Sequence, residues 1–535
     1  MKIKHFVKNP SYYISIIYWE LLYMPMYQKS FSNQLPRNLI SNITFFIINI
    51  IIGLFLIPYF IDTLGVASYG LIPLATSITS YVGLIAQSLN TSVSRYLTVD
   101  LQRGDFKKAN ITFNTSLFGI IGIILVLIPI IFVVSNYMPN FFQAPLDQKN
   151  DVILLFLGVM GAFLVKTLSS VYGVSLFAYN RLDVQNIINI INVFVQVGLI
   201  VLLFSAFSPN LSYVGLSYLI GALVASIITI YASKNVNPHL KVNYTDFRTS
   251  QLKEMAGMGN WIIVNQIGAL LFLQVDLIVV NKLFGPTAGG EYATILMWST
   301  LLRSMAGMLA GVLTPIILTY YAKNQFEQII TISKSAVKLM SLTMALPLGL
   351  ICGFAPQLLS LWVGPEFMKL APLMWILLPH LIINLSVLPL FSIIVSFNKV
   401  RIPGLVTLFM GVGNFLLAIT IPYITGWGYY GVAVAGFLML TMKNSLFIPW
   451  YATRVIGVSK HTFTKSIFSG VVSMVAIIGI ITILNHYLNI STLISLISAS
   501  VAITLIYLSI IWFAGLNQYE CKMIKSFIPF QTRRD

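Results

Sequence analysis

Four ionisable side chains interrupt long apolar stretches of this sequence. Lys166, Arg303 and Lys443 are basic, and Asp276 is acidic. Charges in apolar surroundings are costly, and they generally face a protein interior or a water-filled cavity. The planar guanidinium of Arg303 suits the oxygens of an anion such as phosphate. We therefore predict a cationic cavity formed by the three basic side chains and assign Asp276 to ion coupling or gating. The alternative for each is a structural role, as a tether between helices or in a salt bridge.

Polar side chains recur at helical spacing within other apolar stretches. Four of them are spaced four, three and four residues apart, which places them on one face of a helix: Gln185, Asn189, Asn192 and Gln196. Further amides lie in other stretches: Asn42, Asn49, Gln87, Asn90 and Asn265. A single such amide usually forms a hydrogen bond between helices. Taken together, the amides predict the polar lining of a cavity.

Membrane-spanning helices must position these side chains. The sequence of 535 residues is 57% hydrophobic and only 9% charged, whereas a soluble protein has about 25% charged residues. About fourteen apolar stretches have the length of roughly 20 residues that a bilayer requires. They cover 38–60, 69–92, 111–135, 152–178, 185–206, 211–232, 255–281, 291–318, 331–354, 371–397, 401–424, 428–452, 466–486 and 491–513.

The basic residues predict the orientation of these spans. Of 32 Lys and Arg residues, the alternate loops assigned to the outside hold only Lys149, Lys282 and Lys369. An excess of Lys and Arg marks the cytoplasmic loops, so both termini are expected in the cytoplasm. The net charge of +17 therefore reflects topology, and its dispersal over short loops argues against nucleic acid as a partner.

The two halves of the sequence resemble each other at a shift of about 220 residues. A turn marked by Gly65 corresponds to one marked by Gly285, and Asn180 corresponds to Asn398. Each copy has six spans, an even number, so both should have the same topology. Such repeats are related by an axis along the membrane normal, with a substrate site near the midplane.

The predicted fold is an all-α polytopic membrane protein with two six-helix bundles and two additional C-terminal helices. The domains are an interfacial N-terminal segment 1–37, bundles 38–232 and 255–452 joined by a cytoplasmic linker 233–254, two added helices 453–513 and a basic cytoplasmic tail 514–535. Short loops leave no room for a soluble catalytic domain.

Enzymatic and metal chemistry find little support in the sequence. Cys352 and Cys521 have no metal-ligand spacing, and the five His residues form no motif with Ser and Asp. We expect no cofactor, no metal and no catalytic residue. Coupling of transport to a proton or sodium gradient is a further expectation.

Three segments carry a family resemblance: LGVASYG at 64–70, NTSVSRY at 90–96 and QRGDFKKAN at 102–110. Together with the span pattern and the duplication, they resemble bacterial polysaccharide-biosynthesis flippases of the multidrug/oligosaccharidyl-lipid/polysaccharide exporter superfamily. The resemblance implies a bacterial cytoplasmic membrane protein that translocates an undecaprenyl-diphosphate-linked oligosaccharide repeat from the inner to the outer leaflet through a cationic cavity. It implies lipid-linked oligosaccharide and membrane lipids as partners, with a polysaccharide polymerase and assembly proteins as further candidates.

Other functions stay open at this stage. Within transport, the alternatives are a small-molecule or drug antiporter of the same superfamily and a flippase for a peptidoglycan lipid precursor. A carboxylate at the cavity floor would favour the antiporter. More distant alternatives are a membrane-embedded glycosyltransferase or polymerase, and a non-transporting scaffold.

Overall fold

The computed structural model describes residues 31–311, 313–488 and 490–521. It describes their side chains except at 31–33, 35–36, 85–91, 146, 256–262, 314–315, 319 and 322. The predicted N-terminal segment therefore lies outside the described residues up to position 30, and the predicted tail lies outside them from position 522.

The described chain consists of helices joined by short turns. In its first half the helices are α1 Phe31–Leu64, α2 Val66–Val82, α3 Leu84–Gln102, α4 Phe106–Phe141, α5 Lys149–Ala178, α6 Leu182–Ala206, α7 Leu211–Val236 and α8 Thr249–Leu273. The second half has α9 Val275–Gly311, α10 Leu313–Ala322, α11 Phe326–Gly353, α12 Ala355–Trp362, α13 Ala371–Leu377, α14 Leu381–Ser386, α15 Leu388–Ser396, α16 Arg401–Thr425, α17 Tyr429–Met442, α18 Ile448–Ile456, α19 Thr464–Tyr487 and α20 Leu493–Ile510. A π-helix, Lys443–Phe447, joins α17 to α18.

These helices confirm the predicted fold class of a polytopic all-α membrane protein. Among the described residues, 11 helices are long and apolar enough to cross a membrane, or up to 12 if a bent pair near 365–396 forms one span. Several predicted spans are built from more than one helical piece. In 69–92, α2 is followed by α3, and in 255–281, α8 is followed by the start of α9. The count is compatible with the predicted fourteen.

The landmarks of the predicted duplication have matching backbone conformations. Positive φ angles occur at Gly65 and Gly285 (80° and 87°), which are 220 residues apart. The next pair, Gly104 and Asn324 (72° and 56°), has the same separation. A third pair, Asn180 and Asn398 (56° and 53°), is 218 residues apart. Left-handed conformations are rare outside Gly and Asn, so three ordered matches indicate that both halves turn at equivalent points.

The chain forms two compact units, and the predicted bundle boundaries stay a prediction. In its described part, unit 1 comprises 31–53, 78–140 and 144–263, and unit 2 comprises 54–77, 141–143 and 264–521 apart from 312 and 489. In unit 1, α5 and α7 cross in backbone contact, since a Cβ at Gly158 would lie 2.3 Å from the Gly215 carbonyl oxygen. Small residues of this kind let membrane helices approach closely.

Unit 2 uses the same packing device at several crossings. A Cβ at Gly268 of α8 would lie 2.6 Å from the backbone nitrogen of Leu408 in α16. At the turn after α1, the Val66 carbonyl oxygen would lie 2.0 Å from a Cβ at Gly290 of α9. The first of these approaches fixes α8 against α16, and the second fixes α9 against the turn after α1. Helix α9 supplies Asp276 and Arg303, which are described next.

Candidate substrate cavity

A break between α8 and α9 places Asp276 in the first turn of α9. The break falls at Gln274, whose Oε1 accepts a hydrogen bond of 2.5 Å from Ser77 Oγ. The end of a helix leaves carbonyl oxygens without partners. Asn414 of α16 supplies one, because its Nδ2 donates to the Leu271 carbonyl oxygen at 3.0 Å. The same Nδ2 donates to Asp276 Oδ1 at 2.9 Å, so one buried amide holds both the helix end and the carboxylate.

Arg303 lies farther along α9, after the turn at Gly285. Its side chain is half-buried, and Nε donates to Ser299 Oγ at 3.1 Å, one turn earlier. Arg303 and Asp276 interact electrostatically. No ion pair within 4.0 Å joins them in the described part of the chain. The remaining guanidinium donors are therefore not held by a carboxylate.

Both residues line a cavity of about 280 Å³ within unit 2. Its polar lining comprises Gln274, Asp276, Ser299, Thr300, Arg303, Ser304 and His380. Its apolar lining comes mainly from Phe272, Leu296, Leu377, Phe437 and Leu440. A cavity with a few convergent polar groups in a mostly apolar wall is typical of a ligand site.

His380 lines this cavity although the sequence analysis assigned it no role. It lies in the break between α13 and α14, where the imidazole is buried. Its Nδ1 is 2.6 Å from Asn384 Nδ2, and its ring packs edge-on against Phe437 at 5.4 Å. A single His in an apolar stretch gives no sequence signal, since the helix break that turns it toward Arg303 depends on tertiary packing.

Lys443 is buried at the start of the π-helix rather than extended toward the membrane surface. Its Nζ lies 5.3 Å from the centre of the Phe272 ring and 5.9 Å from that of Phe391. Aromatic faces attract a cation at such distances. Lys443 also interacts electrostatically with Arg303, so it adds positive potential without lining the cavity itself.

The third predicted cation, Lys166, lies in unit 1 on α5. Its side chain is largely exposed, and Nζ is 3.2 Å from the amide of Asn192 when that amide is turned to present its oxygen. In the same orientation the Asn192 nitrogen donates to the Gly221 carbonyl oxygen at 3.0 Å. The amides of Asn192 and Gln196 are 3.3 Å apart. These groups join α5, α6 and α7.

The remaining predicted polar residues have mixed surroundings. Asn42 accepts a 2.6 Å hydrogen bond from Asn186, a buried amide that the sequence analysis passed over. Asn49 donates to the Phe45 carbonyl oxygen of its own helix at 2.7 Å. Three others differ in exposure: Gln185 and Asn265 are exposed, and Asn189 is half-buried. The side chains of Gln87 and Asn90 lie outside the described residues.

A second, apolar cavity of about 780 Å³ lies in unit 2. It is lined by Met305 of α9, by α11 and by the C-terminal part of α20 with the residues that follow it. Leu342, Leu346, Leu505 and Trp512 are representative of its lining. Because Met305 is only two residues from Arg303, α9 contributes to both cavities.

Comparison with known proteins settles the family. Residues 35–320 match the sequence family described as polysaccharide biosynthesis protein. The chain belongs to this family. It is also 33% identical over 472 residues to the uncharacterized membrane protein EpsK of Bacillus subtilis (strain 168), which covers 88% of this chain and 93% of that protein. The predicted family resemblance is confirmed.

Solved structures show the same fold at low sequence identity. An inward-facing multidrug resistance MATE family transporter of the MOP superfamily has a TM-score of 0.64 at 14% identity, over 75% of this chain and 94% of that one. The lipid II flippase MurJ in an inward closed conformation has a TM-score of 0.62 at 15% identity, over 89% of this chain and 98% of that one. The chain is therefore a multi-pass membrane protein with the fold of these transporters.

Proposed function

We propose that this protein is a flippase for an undecaprenyl-diphosphate-linked oligosaccharide repeat unit. It moves this substrate from the inner to the outer leaflet of the bacterial cytoplasmic membrane by alternating access. Both termini lie in the cytoplasm, and the two bundles are residues 38–232 and 255–452. Membership of the polysaccharide biosynthesis family supports this proposal.

The observation that carries the proposal is the position of Arg303. A guanidinium whose donors are largely free lines a cavity that also presents the hydroxyls of Ser299, Thr300 and Ser304. Arginine binds phosphate oxygens with two parallel hydrogen bonds. Hydroxyls and amides suit the polar atoms of sugars, which cannot enter hydrocarbon without such partners.

The apolar cavity extends the argument to the lipid. An undecaprenyl-diphosphate glycan has a charged head and a long hydrocarbon tail. Arg303 and Met305 are two residues apart in one turn of α9, and they line the polar and the apolar cavity, respectively. We assign the diphosphate to the first cavity and part of the hydrocarbon chain to the second. This arrangement keeps both parts of the substrate in surroundings of matching polarity.

Asp276 is proposed to couple transport to a proton or sodium gradient. It is buried, it has one hydrogen bond from Asn414, and it interacts electrostatically with Arg303 across the cavity. An ion bound at the carboxylate would therefore change the potential at the substrate site.

A small-molecule antiporter is the second candidate, and Asp276 is the observation that favours it. A carboxylate at the cavity wall could attract an organic cation. Arg303 in the same cavity opposes this binding because it repels a cation. The proposal therefore favours an anionic substrate, and the peptidoglycan lipid precursor is a chemically similar alternative to an oligosaccharide repeat.

The experiment is mass spectrometry of lipid-linked glycans in cells that lack this gene. We expect intact precursor to accumulate and surface polysaccharide to disappear. Wild type should restore both to normal and Arg303→Ala should not. Arg103→Ala, which removes an exposed charge at the end of α3, is the matched control and should restore both. Normal glycan combined with altered sensitivity to organic cations would favour the antiporter.

A further inference from the structure

The cavity of Arg303 contains a second nitrogen base that the proposed function leaves unused. His380 is buried and lines the cavity opposite residues of α9. Arg303 acts on it electrostatically. Asn384 Nδ2 and His380 Nδ1 are 2.6 Å apart, and the donor and acceptor roles depend on the tautomer of the imidazole. In the neutral tautomer with its proton on Nε2, Nδ1 accepts a hydrogen bond from Nδ2.

Asn384 can form a hydrogen bond with either protonation state of His380, because its amide has both a donor and an acceptor. Its Oδ1 is buried and has no hydrogen-bond partner among the described residues. Its Nδ2 has an additional contact of 3.5 Å with Thr441 Oγ1. If Nδ1 gains a proton, rotation of the amide presents Oδ1 as the acceptor. This rotation gives Oδ1 a hydrogen-bond partner, the protonated ring nitrogen.

The charges around the cavity show how a proton added to His380 would change its net charge. Three described lining residues can ionise: Asp276, Arg303 and His380. Lys443 acts on Arg303, and the buried Tyr292 acts on Asp276. The described residues of α11 and α19, which also pack against α14, add no ionisable side chain to the lining. With Arg303 and the nearby Lys443 charged and Asp276 ionised, these groups carry a single net positive charge.

A diphosphate diester carries two negative charges. A protonated His380 would supply the second positive charge and a donor from each ring nitrogen. Ligand binding and proton binding that favour each other are linked reciprocally.

We infer that His380 is a second ligand of the substrate diphosphate and takes up a proton when the diphosphate binds. This inference rests on the proposed function, because it assigns a new residue and a proton to the same anion. Asn384 is the positioning residue that accepts from the protonated ring.

The test measures binding of an isoprenyl-diphosphate-linked monosaccharide to the full-length protein in lipid nanodiscs. Binding is measured by calorimetry from about pH 5 to pH 8, the range in which histidine changes charge. The two charges of this diester probe do not titrate in that range. Affinity should rise as the pH falls, by up to about tenfold per pH unit for one linked proton. Measurements in two buffers of different ionisation enthalpy should show proton uptake.

Three variants identify the side chain that takes up the proton. His380→Gln keeps a donor but cannot gain a charge, so its affinity should change little with pH and proton uptake should vanish. Asp276→Asn should keep the pH dependence, which separates His380 from the other titratable group of the cavity. Asn384→Leu should weaken proton uptake while His380 remains. If His380→Gln unfolds, the Asn384 variant and the wild-type proton count still decide the question.

A failure of this inference can be distinguished from a failure of the proposed function. Wild-type binding that does not change with pH, or an unchanged pH dependence in His380→Gln, would overturn this inference and leave the flippase proposal standing. Absence of probe binding to wild type at every pH would overturn the proposed function as well.

Discussion

Unit 1 and unit 2 both place a cation among amides and hydroxyls within a membrane-spanning fold, but the cation of unit 1 contacts an amide that bridges helices, whereas the cation of unit 2 lines a cavity. In unit 1, Lys166 reaches the amide of Asn192, which in turn reaches the backbone of α7 at Gly221. In unit 2, Arg303 lines a cavity, and its one hydrogen bond among the described residues goes to Ser299. Polar groups that satisfy each other hold helices together, whereas a half-buried cation at a cavity wall can bind a ligand.

The two units also differ in how the charge is placed. The Arg303 cavity has a helix break on two sides, at Gln274 between α8 and α9 and at 378–380 between α13 and α14. In membrane proteins, backbone outside regular helices occurs where it is buried in protein or lines a cavity. The Lys166 cluster instead lies on the continuous helices α5 and α6. We therefore expect substrate binding in unit 2 and helix packing at the Lys166 cluster of unit 1.

The largest expected effect is on the transport rate, and it distinguishes Arg303 from Lys166. Arg303→Ala should lower the transport rate by about 100-fold, because removing one partner of a desolvated charge pair, here with the diphosphate, commonly costs about 2–5 kcal/mol. Lys166→Ala should lower it by less than about fivefold, since Lys166 contacts an amide that joins helices and a hydrogen bond between membrane helices is worth about 1 kcal/mol or less. Rates of glycan translocation in vesicles check both. Equal losses would show that both units bind the substrate.

The next effect concerns stability in unit 1. Gly158→Val should lower the free energy of unfolding by about 1–3 kcal/mol or more, because overpacking forces α5 and α7 apart. Gly122→Val is the control on α4, where a Cβ would meet nothing within 4 Å. Thermal unfolding in detergent should show a lower Tm for the first variant only. A similar Tm for both would contradict the close crossing.

Asp276→Asn should have an intermediate effect on transport, about tenfold, which corresponds to roughly 1.4 kcal/mol. The variant keeps the hydrogen bond from Asn414 in a neutral form but cannot bind an ion. Dependence of the rate on sodium or on the proton gradient should therefore weaken. If rate and ion dependence both match wild type, Asp276 is not the coupling residue.

The smallest effect tests the role of the unit 1 amides. Asn192→Leu should lower stability by about 1 kcal/mol or less, in the range measured for hydrogen bonds between membrane helices. Transport should remain close to wild type. Tm and vesicle transport measured on the same preparation decide this, and a large loss of transport at unchanged Tm would place Asn192 in the substrate path.

The fold was predictable from sequence because bilayer thickness dictates the length of each apolar stretch. Helices lie at every predicted span, and the turns at Gly65 and Gly285 have matching conformations. The breaks inside spans were not predictable from apolar periodicity. At the break beside Gln274, for example, Asn414 binds the Leu271 carbonyl oxygen of the helix end from 143 residues away in the chain, and such a contact leaves no local signal.

The candidate site was predictable only for its rarest residues. Charges in apolar stretches are conspicuous, so Arg303, Asp276 and Lys443 could be singled out. His380 and Asn414 could not, because one histidine or amide in a long apolar stretch is usually a packing residue. Conversely, the regular spacing of Gln185, Asn189 and Asn192 indicated a common helix face but not whether that face meets a cavity or another helix.

The most direct measurement is translocation by the purified full-length protein in lipid vesicles. An undecaprenyl-diphosphate-linked oligosaccharide is placed in the inner leaflet, and a membrane-impermeant glycan-oxidising reagent reports its arrival outside. We predict fast exposure of the glycan with wild type and with Lys166→Ala, and loss of exposure with Arg303→Ala. If wild type leaves the glycan protected, or if Arg303→Ala moves it at the wild-type rate, the central claim is contradicted.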